Sequence, residues 1–204
     1  MNGTLHAFIL LVVSLAGCSV PAQPPAASDQ EIVQASYRSS IGPEIRLYTV
    51  VSRRNGSGAH SGLMIATDRE RILFDPAGTF SLADVPERGD VHYGISPAIL
   101  DTYIDYHARE TFDVVEQSVR LSSDDAEQIA QYVKVQGAVP RMQCALSITR
   151  ILARLPRFEG LGITYFPNTA MRAVAKLPGA KTRVIRQNDS DANHDVLIQA
   201  AATP

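Results

Sequence analysis

Three side chains in this sequence have the types needed for acyl transfer through a thiol: Cys144, His60 and Asp75. Cys144 lies in Arg141-Met142-Gln143-Cys144-Ala145-Leu146, about one turn into a helix that the sequence opens near Pro140 and carries to about Leu155. Unpaired N–H groups in a helix's first turn favour a thiolate over a thiol, and can also hold a developing oxyanion. His60 lies in the apolar segment Ala59-His60-Ser61-Gly62-Leu63-Met64-Ile65, where an imidazole can take the thiol proton and form a thiolate–imidazolium pair. Gly62 shares the His60 face of that strand and leaves space for another group to approach. Asp75 ends the next strand, in reach of the far imidazole nitrogen, where a carboxylate fixes the tautomer.

Each of these residues also has a plainer reading. A free Cys is often a small buried hydrophobe, a strand His can simply be hydrogen-bonded, and an Asp before Pro76 can form a turn. The other polar residues offer less chemistry. His92 and His107, taken with Asp101 and Asp105, lack the spacing of a helical metal motif, so no metal and no cofactor is expected. Tyr103 and Tyr106 are expected to pack with their hydroxyls exposed, and Arg53-Arg54 to be a loop charge without function. Asn55-Gly56-Ser57-Gly58 lacks the later Gly and Lys of a phosphate-binding loop.

Strands are predicted at 44–52, 59–67 and 71–74, as an antiparallel meander with short turns, and another at 91–95. A helix is expected from Pro97 to about His107, then an extended segment over 111–121. Ser122-Ser123-Asp124-Asp125 starts a further helix, in which Ala126, Ile129, Ala130 and Val133 recur at helical spacing until Gly137. After the Cys144 helix, which is apolar nearly all round and therefore central, come a helix from Pro167 and a last strand at 182–186. The expected fold class is α+β, an antiparallel sheet packed against helices, as one domain over 43–187 with a loose tail at 188–204. Within the tail, 195–200 is the stretch able to dock.

The chain has 204 residues, 45% apolar and 20% charged, with a net charge of −2. That balance excludes a disordered chain and argues against nucleic acid as a partner. Two cysteines supply neither a disulfide framework nor a Cys-rich zinc site. The single apolar run, 8–17, suits a signal peptide rather than a span. It leads into Leu15-Ala16-Gly17-Cys18, which resembles the bacterial lipobox, although no Lys or Arg precedes it. The resemblance implies cleavage before Cys18, acylation of that residue, and, with Ser19 next, an outer-membrane anchor facing the periplasm. Acyl chains hold such a protein at about 0.8 kcal/mol per buried methylene. Residues 18–42 then read as the lipidated Cys and a flexible tether, Pro/Ala/Ser-rich at its start.

The order strand-His, next-strand polar residue, later helix-Cys resembles the circularly permuted NlpC/P60 group of the papain-like superfamily. The matching pieces are Gly58-Ala59-His60-Ser61-Gly62-Leu63, Leu73-Phe74-Asp75-Pro76-Ala77-Gly78, Gln143-Cys144-Ala145-Leu146 and Tyr165-Phe166-Pro167-Asn168-Thr169-Ala170-Met171, over roughly residues 45–180. Gln143 stands where many members have Asn and is a candidate binding residue. The third polar residue is often a His closer to the first, so His92 is the alternative to Asp75. The resemblance implies a permuted papain-like fold and a thioester mechanism: Cys144 attacks a carbonyl, His60 moves the proton and Asp75 orients His60. Its members include peptidases, amidases and lipid acyltransferases. Location makes peptidoglycan peptides the first expected substrate and acyl lipids the second, for a protein expected to be a monomer. The rival expectation is a noncatalytic envelope lipoprotein that binds a peptide or lipid.

Overall fold

Seven strands form one antiparallel sheet in a computed structural model that describes residues 24–201. They are β1 (Glu44–Ser52), β2 (Gly58–Ala66), β3 (Arg71–Phe74), β4 (Glu87–Arg88), β5 (Val91–His92), β6 (Phe112–Arg120) and β7 (Lys181–Ile185). Their spatial order is β4-β5-β3-β2-β1-β6-β7. Six helices accompany them: α1 (Asp29–Gln34), α2 (Pro97–His107), α3 (Ser123–Gln136), α4 (Cys144–Leu152), α5 (Pro167–Val174) and α6 (His194–Ala201). The α+β class read from the sequence is the class observed.

The central strands are apolar on both sides because helices cover both faces of the sheet. On one face Ile45, Leu47, Leu63, Ile65, Ile72 and Phe74 pack against Ile129 and Val133 of α3 and Ile148, Ile151 and Leu152 of α4. On the other, Tyr48, Met64, Ala66 and Leu73 meet Leu100, Tyr103, Ile104 and Tyr106 of α2. Each fully buried Leu, Ile or Phe contributes about 1.5–3 kcal/mol, so the sheet is a rigid platform. Local signals place the helices. The Ser96 hydroxyl accepts from the Ile99 N–H ahead of Pro97, and the Ser122 hydroxyl accepts from the Asp125 N–H. Gly137, at φ 70°, ends α3.

Two expectations need correcting. The Cys144 helix begins at Cys144 itself, not near Pro140. Residues 140–143 form a tight turn closed by the Gln143 N–H on the Pro140 carbonyl, with Met142 at φ 66°. A left-handed residue cannot continue a right-handed helix, so Pro140 marks a turn and the helix starts after it. Residues expected as tether carry α1, whose Ser28 and Glu31 form a capping box. This segment is strapped to the sheet: the Ala27 N–H donates to the Glu87 carbonyl at 2.9 Å and the Arg71 N–H to the Tyr37 carbonyl at 2.8 Å. In the tail, the stretch read as able to dock lies in α6, which sets Val196 and Leu197 against the α2 side of the core. The lipobox and Cys18 lie outside the described residues.

The two middle ladders differ in length, and that difference opens the site. β1 pairs with β2 from Glu44↔Ala66 down to Val51↔Gly58, whereas β3 leaves β2 after Leu63↔Phe74. Below Leu63, β1 is the one strand partner of β2 among the described residues, and α4 packs beside β2.

Candidate active site

His60 and Asp75 meet because of strand register. Leu63↔Phe74 is the last β2–β3 pair, so Asp75 follows opposite Gly62 and His60 lies two residues along on the same face. The His60 Nε2 is 2.7 Å from the Asp75 Oδ1. Asp75 is only 2% exposed, and its Oδ1 also accepts a hydrogen bond from the Tyr103 hydroxyl at 2.9 Å. The space foreseen at Gly62 has an occupant: any Cβ there would collide with the Tyr103 hydroxyl. A Cβ at Gly78 would likewise strike the Asp75 carboxylate, so a glycine on each side frames that carboxylate.

Asp90 ties the base to the nucleophile's helix. Its carboxylate Oδ2 accepts from the Ala77 N–H and from the Val139 N–H, both at 2.8 Å, and its carbonyl accepts from the Asp75 N–H at 2.9 Å. One side chain thus joins the turn after β3 to the segment that leads into α4.

Cys144 is the first residue of α4 and is 6% exposed. Its thiol is close enough to His60, and to the main-chain N–H groups of Ser61 and Ala145, for each of them to act on its charge. Burial by itself pushes the thiol pKa up. His60 and the two N–H groups outweigh it and hold the thiol below its ordinary value. Burial likewise opposes a charged imidazole, but Asp75 and then Cys144 outweigh it and raise His60 to about 10. Burial would raise Asp75 too; the His60 charge wins and holds its carboxyl well below the usual carboxylate range. The arrangement therefore favours a thiolate, an imidazolium and a carboxylate in sequence.

The other residues singled out from the sequence are placed as follows. Gln143 is the N-cap of α4 and accepts the Ser147 N–H through its carbonyl at 2.9 Å, while its side chain does not cap the helix. His92, opposite Leu73 on β5, does not touch His60; it is buried, edge-on to Phe80, with Nδ1 3.6 Å from the Glu87 carboxylate. Asp75 is thus the residue that geometry seats on His60. Asp105 pairs with Arg109 at 2.8 Å. Contrary to expectation, the Tyr103 and Tyr106 hydroxyls are both bonded inside, the second to Thr79 at 2.9 Å. Arg53 is a clamp rather than a loop charge, reaching the Asp113 carboxylate at 2.6 Å and the Gln187 carbonyl at 2.8 Å.

Sequence reasoning missed His107 as a member of this site. Its ring lies nearly parallel to the His60 ring, 7° between planes and 5.5 Å between centroids. Its Nδ1–H donates to the Tyr103 carbonyl at 2.9 Å, and burial pushes its pKa down to about 4. The available signal was spacing: Tyr103, Tyr106 and His107 recur at i, i+3, i+4 and so share one face of α2.

The start of α5 packs against the turn that leads into β2. The Asn168 side chain donates to the Gly56 carbonyl at 2.7 Å, and a Cβ at Gly58 would come within 2.8 Å of Pro167. Tyr165 and Phe166, just ahead of α5, are exposed, and Met142, two residues before Cys144, is 87% exposed. No protein-family model, no curated protein and no solved structure matches this chain.

Proposed function

We propose that this chain is a cysteine hydrolase or acyl transferase of the cell envelope, with Cys144 as nucleophile, His60 as base and Asp75 as the group that orients His60. The observation that carries this reading is one imidazole with two partners: Nε2 lies 2.7 Å from Asp75, and the same ring acts on a thiol at a helix N-terminus. The resemblance to the permuted NlpC/P60 group supports the same roles, and a permuted papain-like architecture is part of the proposal.

The Cys144 thiolate attacks a carbonyl carbon, and the electron pair moves onto the carbonyl oxygen. N–H groups at the start of α4 stabilise that oxyanion. The intermediate collapses to a thioester as His60 gives its proton to the leaving amine or alkoxide. Water, deprotonated by His60, then releases the acid and regenerates the thiolate; an acceptor nucleophile in its place gives transfer. Asp75 keeps the proton-carrying nitrogen aimed throughout. Anchored through Cys18 in the outer membrane and facing the periplasm, the enzyme would meet peptidoglycan peptides first and acyl lipids next.

Acyl capture tests the proposal. A p-nitrophenyl acyl ester should add one acyl group to Cys144, read by intact mass. Cys144→Ala should abolish the adduct, and His60→Ala should slow its formation about 10²–10⁴-fold. A folded protein whose thiol takes no acyl group overturns the catalytic reading and leaves a peptide- or lipid-binding lipoprotein.

A further inference from the structure

We infer that His60, Asp75 and His107 form a binding site for a divalent d-block cation, Zn2+ by its donor set, and that occupancy holds the thiol site inactive. Two imidazoles and one carboxylate are ordinary zinc donors, and a site with three protein ligands leaves a fourth position for water. One potential ligand atom from each of these residues lies within 4.8 Å of the other two. The two rings are stacked nearly parallel, 7° between planes, so one of them has to turn for both in-plane lone pairs to meet at one ion.

The surroundings orient these donors as an outer shell does in metal sites. The His107 Nδ1 faces the Tyr103 carbonyl, which can only accept, so the proton sits on Nδ1 and Nε2 carries the lone pair. The Tyr103 hydroxyl fixes the Asp75 Oδ1, and the buried Oδ2 has no hydrogen-bond partner. An unsatisfied buried carboxylate oxygen calls for an explanation, and a cation beside it is one.

Binding is an exchange of cation for proton. The proton that His60 Nε2 shares with Asp75 leaves to solvent, the nitrogen lone pair binds the ion, and nothing is oxidised or reduced. The 2.7 Å contact has to widen by about 0.6 Å, to the roughly 3.3 Å that separates two ligand atoms on a tetrahedral ion. With Nε2 coordinated, His60 keeps its other proton facing Cys144 and can no longer cycle between base and acid. The inhibitory consequence rests on the thiol mechanism proposed above; the binding does not.

The test separates the two. Full-length protein is stripped with chelator and titrated with Zn2+ by calorimetry, and with Co2+ by visible absorption. Cys144→Ala should bind one ion per chain as tightly as the unsubstituted protein. His107→Phe, which keeps a ring in place, should weaken binding at least 10-fold; His107→Gln provides a second variant should the first misfold. Zn2+ should slow Cys144 alkylation in the unsubstituted protein, reversibly with chelator, and the His107 variants should need at least 10-fold more. Failure of Cys144→Ala to bind, or unweakened binding by a folded His107 variant, overturns the inference. Alkylation measured without metal reports on the thiol mechanism separately.

Discussion

The Tyr103 hydroxyl reaches Asp75 only because residue 62 has no side chain. The hydroxyl lies where a Gly62 Cβ would be, 2.9 Å from the Asp75 Oδ1. A helix on one side of the sheet thereby supports the carboxylate that His60 uses.

Gly62→Ala should destabilise the fold by about 1–3 kcal/mol, because Tyr103 is buried and cannot swing away. Tyr103→Phe should cost about 1–2 kcal/mol by removing one hydrogen bond to a charged group. Combined, the two changes should cost clearly less than their sum, since Phe frees much of the space that Ala needs. Urea unfolding of all four proteins measures this coupling; strict additivity would contradict the contact.

The ion-pair chain sets a pH window. His60 is raised above its ordinary value to about 10, so its contribution to stability is complete below the unfolded imidazole value, about 6.5, and is lost as pH climbs through about 10. Asp75 is depressed, so its contribution is complete above about 3.9 and is lost as pH falls toward its folded value. Stability measured from pH 3 to 11 should therefore fall at both ends, and His60→Ala should remove the alkaline fall. Cys144 alkylation should remain fast below the ordinary thiol range near 8.5, and shift to higher pH in His60→Ala, where burial acts unopposed by the imidazolium.

Asp75→Asn keeps the shape of the site and removes its charge. Acyl-enzyme formation should drop by about 10²–10⁴-fold, since an amide can leave the imidazole in the wrong tautomer. The thiol alkylation profile should move to higher pH in the same variant, because the imidazolium loses its main support. His92→Phe, which changes a residue that does not touch His60, should leave that profile where it is. A profile that follows residue 92 and ignores residue 75 would reverse the assignment.

Asp90→Asn tests the staple between base and nucleophile. Its carboxylate accepts two main-chain N–H groups, from Ala77 and Val139, and an amide oxygen accepts them without the charge. Unfolding free energy should fall by about 1–3 kcal/mol. Cys144 alkylation should also slow at neutral pH, a change that simple loss of stability in a folded protein does not produce.

Local signals in the sequence determined a good deal. Apolar segments parted by short turns along residues 44–74 marked the central meander, Ser122 with the Ala126-Ile129-Ala130-Val133 spacing marked α3, and Pro97 marked α2. Cys144 within a helix's first turns and His60 on a strand were legible for the same reason: caps, breakers and periodicity depend on neighbours a few residues away. Tertiary structure alone decided what those residues face. Asp75 and His92 each sit at or near a strand end. It took the Leu63↔Phe74 and Leu73↔His92 registers to seat one on the imidazole and bury the other beside Glu87. Tyr103 and His107 belong to a helix whose spacing reports an inward face without saying which strand lies beneath it. Periodicity records that a side chain turns inward. Its partner is set by strand register and helix crossing, which join residues tens of positions apart and leave no mark in local sequence.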